Sequence, residues 1–172
     1  MNSSNPTAQP NAGAMAPQAA MPLPMRLWTM LHTLLDGLQP IAALVARAYI
    51  AQVFFLSGLT KIRDWDITLL LFTDEYQVPF LPPEVAAVMG TGGELVLPVL
   101  LLLGIGGRFA ALGLSVVNVM AVISYPDIAP AAMQQHVTWG VLLAALAIFG
   151  PGRWSVDHRI ARKMGVHEGM QR

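Results

Sequence analysis

Four long apolar stretches alternate with short polar segments along this chain. They cover residues 41–60, 84–104, 109–125 and 131–149. An α-helix rises 1.5 Å per residue, so about 20 apolar residues cross a hydrocarbon core of roughly 30 Å. The pattern therefore predicts an all-α protein built as a four-helix transmembrane bundle.

The segment before the first apolar stretch divides in two. Residues 1–25 carry no charge and are rich in Asn, Ala, Met and Pro, which predicts a disordered tail and not a signal peptide. Residues 26–39 place Leu residues at helical spacing opposite polar ones, which predicts an N-terminal interfacial amphipathic helix with Trp28 at headgroup depth. Pro40 is expected to begin a separate helix. Residues 40–160 then form the transmembrane domain, and residues 161–172 form a basic tail.

The composition agrees with a membrane protein and excludes several classes of function. Only 12% of the residues are charged and 55% are hydrophobic, whereas soluble domains are about 25% charged. The net charge is zero, so nothing indicates nucleic acid as a partner. Cysteine is absent, which excludes disulfide relays, Cys-ligated zinc and iron–sulfur clusters within this chain. The histidines are too dispersed for a haem, and we predict no metal site.

The distribution of Lys and Arg predicts the orientation. Four spans place both termini and the turn at residues 104–108 on one side, and the loop at residues 61–83 on the other. The first side carries seven basic residues, whereas the second carries Lys61 and Arg63. The positive-inside rule therefore predicts that both termini of this multi-pass protein are cytoplasmic. We expect the membrane to be the bacterial inner membrane.

Two charged residues lie inside predicted spans. At 1.5 Å per residue, Arg47 is about 9 Å and Glu94 about 14 Å from the cytoplasmic ends of their helices. An isolated charge in hydrocarbon is costly, and a long Arg side chain covers that difference in depth. We therefore predict an Arg47–Glu94 pair, with Asn118 at the same level and able to bond to either. Such a pair either fixes helix register or forms a functional site.

A second polar cluster is expected near the outer ends of the spans. Lys61, Tyr125 and His136 all fall there if the topology is right. His136 is open to two interpretations, since near the interface it is either part of a site or simply hydrated. With Arg47, Glu94 and Asn118, these residues are our candidates for ligand binding or proton transfer.

Several short motifs follow one another between residues 41 and 160. They are Arg47, residues 55–61 (FLSGLTK), residues 80–83 (FLPP), residues 93–95 (GEL), Arg108 and residues 150–157 (GPGRWSVD). In this order and spacing they resemble the DoxX family, which implies four transmembrane helices. The resemblance directs attention to Arg47, Ser57, Gly58, Lys61, Glu94, Arg108, Gly150, Gly152 and Asp157.

The same resemblance implies a role in membrane redox chemistry. Some members resemble subunits of a thiosulfate:quinone oxidoreductase, another is linked to a membrane oxidoreductase complex with superoxide dismutase and a sulfurtransferase, and many have no assigned activity. We therefore expect a membrane subunit of a quinone-linked oxidoreductase complex, serving sulfur-compound oxidation or oxidative stress. Its partners would be the lipid bilayer and other subunits, and its cofactor a non-covalent quinone bound or protonated by Arg47, Glu94 and His136.

A different class of function stays open from the sequence. A non-catalytic membrane scaffold or a small-solute carrier would also have four spans, and its Arg47–Glu94 pair would be structural. Whether the chain is itself catalytic is not decided by these residues.

Overall fold

The computed structural model describes residues 22–164, and the described part contains six helices and no strand. The helices are α1 (Leu23–Arg63), α2 (Trp65–Asp74), α3 (Pro83–Leu103), α4 (Gly107–Ser124), α5 (Pro130–Phe149) and α6 (Val156–Lys163). Four of them, α1, α3, α4 and α5, are long and apolar enough to cross a membrane. The predicted all-α fold with four spans is therefore confirmed. Most of the predicted disordered tail at residues 1–25, and residues 165–172 of the basic tail, lie outside the described residues.

The chain divides into two compact units, Met1–Leu35 and Asp36–Arg172. In the described part of the first unit the backbone is helical and its side chains are exposed. The Trp28 and His32 rings, four residues apart, pack edge-on with their centroids 4.4 Å apart. The second unit contains α2 to α6 and most of α1.

The predicted helix boundary at Pro40 is wrong. Helix α1 runs from Leu23 to Arg63 with Pro40 inside it. Proline removes one backbone hydrogen bond and crowds the carbonyl four residues earlier. The residues on both sides are good helix formers, so this local cost does not end the helix. The expected interfacial helix at residues 26–39 and the first span are therefore parts of one continuous helix.

We call the half of the bundle that contains the turn at residues 104–107 the inner half, and the half that contains α2 the outer half. The inner half holds an apolar core to which all four spans contribute. Its buried members are Ile50, Phe54, Leu101, Ala110, Ala111, Leu114, Leu143 and Leu146. Glycine allows α3 and α4 to approach closely, because a Cβ atom at Gly113 would lie 2.8 Å from Leu97 Cδ1 and one at Gly93 3.2 Å from Val117 Cγ2. The earlier residue of α3, Gly93, meets the later residue of α4, Val117, and the later residue of α3, Leu97, meets the earlier residue of α4, Gly113. The two helices are therefore antiparallel.

The outward faces of the spans are apolar and exposed. Val88 and Val96 on α3, Val116 on α4 and Val141 and Ile148 on α5 are each more than half exposed. A soluble monomer rarely exposes so much contiguous apolar surface, whereas lipid tails solvate it. These faces are therefore the lipid-contacting surface of an integral membrane protein.

Helix α2 covers the outer end of α3. It is 10 residues long, too short to span, and the Asp64 carboxylate caps it by accepting from Ile67 N. Its Phe72 side chain is buried against Ala86 and Ala87 at the start of α3. The loop between the first two spans is therefore folded against the bundle.

Candidate functional site

An ion pair links α1 to α3 in the outer half of the bundle. Lys61 Nζ lies 2.6 Å from Glu94 Oε2 and donates a second hydrogen bond to Ser57 Oγ at 3.0 Å. The Ser57 hydroxyl in turn donates to Glu94 Oε1 at 3.3 Å. The three side chains close a triangle in which both carboxylate oxygens of Glu94 accept a hydrogen bond.

The positions of these residues in the sequence explain why they meet. Ser57 and Lys61 are four residues apart and therefore lie on one face of α1. Gly58 lies between them, and a Cβ atom there would be 2.9 Å from Leu95 Cδ2 and 3.1 Å from Glu94 Cβ. The missing side chain at Gly58 lets α1 approach α3 closely enough for Lys61 to reach the Glu94 carboxylate.

The pair is only partly shielded from its surroundings. The Lys61 side chain is 20% exposed and that of Glu94 is 10% exposed. A fully sealed ion pair would hold the helices together and nothing more, whereas this one has an open edge at Lys61. The exposed part of the pair lies on the Lys61 side, at the surface of the bundle.

Two buried hydroxyls lie in the outer half of the bundle without hydrogen-bond partners among the described residues. They are Thr91 Oγ1 and Ser124 Oγ, on residues that are 3% and 4% exposed. Thr91 precedes Glu94 by three residues and shares its helix face. A buried polar group left unpaired costs about 1–3 kcal/mol, so such a group beside an ionisable pair marks a candidate binding position.

Aromatic rings stack near this end of the bundle. Tyr76 packs edge-on against Phe72 and Tyr125, with ring centroids 5.0 and 5.9 Å apart. Burial raises the pKa of the Tyr76 hydroxyl, and the negative charges of Glu75 and Glu94 raise it further. Tyr76 therefore remains a neutral phenol, and its hydroxyl feels the charge of Glu94.

A second polar contact joins α4 to α5. Asn118 Nδ2 donates to the His136 carbonyl at 2.9 Å, and Asn118 Oδ1 lies 2.8 Å from His136 Nδ1. Since Oδ1 only accepts, the His136 Nδ1–H group is the donor in this contact. The imidazole packs edge-on against Trp139 at 4.9 Å.

The predicted Arg47–Glu94 pair is wrong. Arg47 is fully buried and donates instead to two carbonyls, Leu102 O at 3.3 Å and Trp154 O at 2.8 Å. The prediction placed Arg47 and Glu94 at nearly the same depth in the membrane. In the structure Arg47 lies level with Gly104 at the end of α3, whereas Glu94 lies level with Gly58 of α1. Eleven residues separate Arg47 from Gly58, about 16 Å along the helix, which is further than an arginine side chain reaches.

The predicted surroundings of the remaining candidates are also corrected. Asn118 pairs with His136 and not with Arg47 or Glu94. Lys61 and Tyr125 do not join His136 in one cluster, because Lys61 pairs with Glu94 and Tyr125 packs on Tyr76. Thr91 is not among the residues predicted from the sequence, although its spacing of three residues from Glu94 places both on one helix face. Ser57 is predicted only as part of the family motif, although its spacing of four residues from Lys61 is the corresponding signal.

The motif at residues 150–157 closes the inner end of the bundle. The Asp157 carboxylate accepts from Gly106 N and Gly107 N, each at 2.9 Å, and Asp157 N donates to Gly104 O at 3.0 Å. A carboxylate at the first turn of α4 also complements the helix dipole. We call the hydrogen bonds of Arg47 and Asp157 the inner closure, because they join the segment around residues 154–157 to α1 and to the turn between α3 and α4.

Comparison with known proteins places these residues in a family. The sequence model of the DoxX family matches residues 42–127, half of the chain. The chain belongs to the DoxX family. The matched region of this DoxX protein contains the complete Ser57–Lys61–Glu94 triangle and Thr91, whereas His136 and Asp157 lie beyond it.

One curated relative also resembles this DoxX protein. An uncharacterized protein of Haemophilus influenzae is 28% identical over 131 residues, which cover 71% of this chain and 85% of that protein. No solved structure matches the chain. Family membership and the four apolar helices together make the chain an integral membrane protein, while the orientation of its termini stays a prediction.

Proposed function

We propose that this DoxX protein is the membrane subunit of a quinone-linked oxidoreductase complex, in which a quinone head group binds beside Lys61 and Glu94. The observation that carries the proposal is the partly accessible ion pair in the outer half of the bundle, one helical turn from the unpaired Thr91 hydroxyl. Ionisable groups at membrane depth are costly, which favours a functional reason for keeping them.

The residues present fit a quinone head group. A quinone offers two carbonyl oxygens that accept hydrogen bonds and a flat ring that packs on apolar or aromatic side chains. The Lys61 ammonium has three donors, of which Glu94 and Ser57 take two, and the Thr91 hydroxyl is a further donor. Phe72 and Tyr76 supply aromatic surface near the same end of the bundle.

The ion pair also fits the protons of the reaction. Reduction of a quinone to a quinol takes up two electrons and two protons. Glu94 can hold or release a proton at its carboxyl oxygens, which the Lys61 ammonium and the Ser57 hydroxyl contact. The open edge at Lys61 gives these protons a way in. Since the chain has no cysteine, a dithiol relay or an iron–sulfur cluster that delivers the electrons would belong to another subunit.

The alternative is a non-catalytic scaffold or a small-solute carrier. In a scaffold, Lys61 and Glu94 would only hold α1 against α3, as the inner closure holds the opposite end. The two readings differ in what happens when the pair is replaced by apolar residues of similar volume. Such a replacement is often neutral or stabilising for the fold, so function is tested without loss of the protein.

The test uses the full-length protein in mild detergent and a short-chain benzoquinone as the probe. We expect Glu94→Gln to weaken binding at least tenfold. Glu84→Gln serves as the matched control, because Glu84 lies on the same helix and is exposed. The Lys61→Met/Glu94→Leu double variant should fold and not bind. In a deletion strain, it should fail to restore growth on reduced sulfur compounds or under oxidative stress.

Two results would contradict the proposal. A folded double variant that binds the quinone like the wild type would mean that Lys61 and Glu94 do not form the quinone site. Full complementation of the deletion strain by that variant would leave the scaffold interpretation.

A further inference from the structure

Helix α6 is a short amphipathic helix with an exposed basic side. Val156 and Ile160 are four residues apart and form its apolar stripe. Arg159 and Lys163 flank that stripe, and Ile160 is nonetheless 46% exposed. An apolar stripe flanked by cations is the pattern of a helix that lies in a membrane surface.

The inner closure fixes α6 at the height where the spans end. Three hydrogen bonds join Asp157 to the turn at residues 104–107, between the last residue of α3 and the first of α4. Next to α6, Trp154 is 56% exposed and Phe149, the last residue of α5, is 82% exposed. Exposed aromatic rings at the ends of spans are typical of the membrane–water interface.

A groove runs along this helix and brings four cations together. Arg153, Arg159, Arg162 and Lys163 line it, together with the apolar surfaces of Trp154 and Pro40. The one acidic side chain of α6, Asp157, is occupied by backbone N–H groups of the α4 turn. Among the residues that the structure describes, the only ion pair is Lys61–Glu94, so none of these four cations forms an ion pair with a described carboxylate.

We propose that this groove binds the phosphate headgroup of an anionic phospholipid from the adjacent leaflet. The cations contact the headgroup, while Trp154 and Ile160 contact the upper acyl chain. Cations near a membrane surface attract anionic lipids, and apolar side chains at the same height select a lipid over a soluble anion. The proposal is independent of the quinone site at the other end of the bundle.

The experiment titrates the full-length protein in detergent with phosphatidylglycerol, and with phosphatidylcholine for comparison, and counts bound lipids by native mass spectrometry. We expect phosphatidylglycerol to bind at least tenfold more tightly. The Arg159→Gln/Arg162→Gln variant should bind it about 30-fold more weakly than the wild type, as expected for two surface cations. Arg26→Gln/Arg63→Gln is the matched control, since it removes the same charge from exposed residues outside α6 and should change binding less than twofold.

Several results would overturn the proposal. One is equal binding of the two lipids, and another is an equal loss in the α6 variant and its control, which would mean that net charge alone acts. Complete displacement of phosphatidylglycerol by an equal concentration of glycerol phosphate would instead mean a site for soluble anions. If the glutamine variant is unstable, Arg159→Lys/Arg162→Lys keeps the charges and should retain binding, and loss of binding in that folded variant would also contradict us.

Discussion

Removing Lys61 should destabilise the protein by an amount that depends on pH. Glu94 is only 8% exposed. In Lys61→Met its carboxylate loses the ammonium at 2.6 Å and keeps only the hydrogen bond from the Ser57 hydroxyl. Leaving one charge of a buried pair uncompensated costs about 3–5 kcal/mol. A carboxyl group avoids this cost by taking up a proton. For a glutamate with a pKa of about 4.3 in water, protonation costs about 4 kcal/mol at pH 7 and about 1 kcal/mol at pH 5.

The expected losses of unfolding free energy in Lys61→Met are therefore about 4 kcal/mol at pH 7 and about 1 kcal/mol at pH 5. The Lys61→Met/Glu94→Leu variant should stay near the wild type at both pH values, because it leaves no charge behind. Unfolding in mixed micelles, followed by helical circular dichroism, measures these differences. Arg63→Met is the control, since Arg63 is an exposed cation at the end of the same helix.

The reasoning would be refuted by two outcomes. A loss in Lys61→Met that is equal at pH 5 and pH 7 would mean that Glu94 is not the group left unpaired. A double variant as unstable as the two single variants added together would mean that Lys61 and Glu94 are not coupled.

Four further predictions concern Arg47 of the inner closure, the glycines Gly104 and Gly92, and the orientation. Arg47→Met should lower the unfolding free energy by about 2–4 kcal/mol, because it removes both hydrogen bonds that the buried guanidinium donates to Leu102 O and Trp154 O, and a loss below 0.5 kcal/mol in the same micelle assay would contradict this. Gly104→Ala should cost about 1–3 kcal/mol or more, because its φ is 69° and the new Cβ would lie 2.5 Å from a neighbouring Cβ atom. Gly92→Ala, with nothing within 4 Å, should instead stabilise α3 by about 0.5–1 kcal/mol. A melting temperature at or above the wild type for Gly104→Ala would contradict the first expectation, and one below the wild type for Gly92→Ala would contradict the second. In intact cells, Asp74→Cys should react with an impermeant thiol reagent and Arg172→Cys should not. The reverse labelling pattern would show that the predicted orientation is wrong.

The spans could be predicted from the sequence, whereas the partners of their charges could not. Length and apolarity identify each span independently of the others, so four apolar runs gave four helices. Partners depend on which residues of two helices lie level, and this requires the register between helices. Taking Ile41 as the start of the first span placed Arg47 too deep, because the helix begins at Leu23 and the end of α3 lies level with Arg47.

The hydroxyl groups of the site gave only a weak signal in the sequence. Ser and Thr in helices commonly bond to the carbonyl four residues earlier, as Ser115 and Thr138 do here, so most of them carry no function. Ser57 and Thr91 differ because of their spacing from Lys61 and Glu94. That spacing becomes meaningful only once Gly58 is known to face Glu94, which no single-helix pattern reveals.

The inner closure has a consequence for the order of events during synthesis. Arg47 finds its acceptor at Trp154, 107 residues later in the chain. At about 5–20 residues per second, a ribosome needs roughly 5–20 s to cover that distance. Until then the first helix carries a guanidinium without its final acceptor, even when all four spans have been inserted. A chain that stops after Phe149 would therefore be complete in its spans and still immature, and membrane quality-control proteases would meet it in that state.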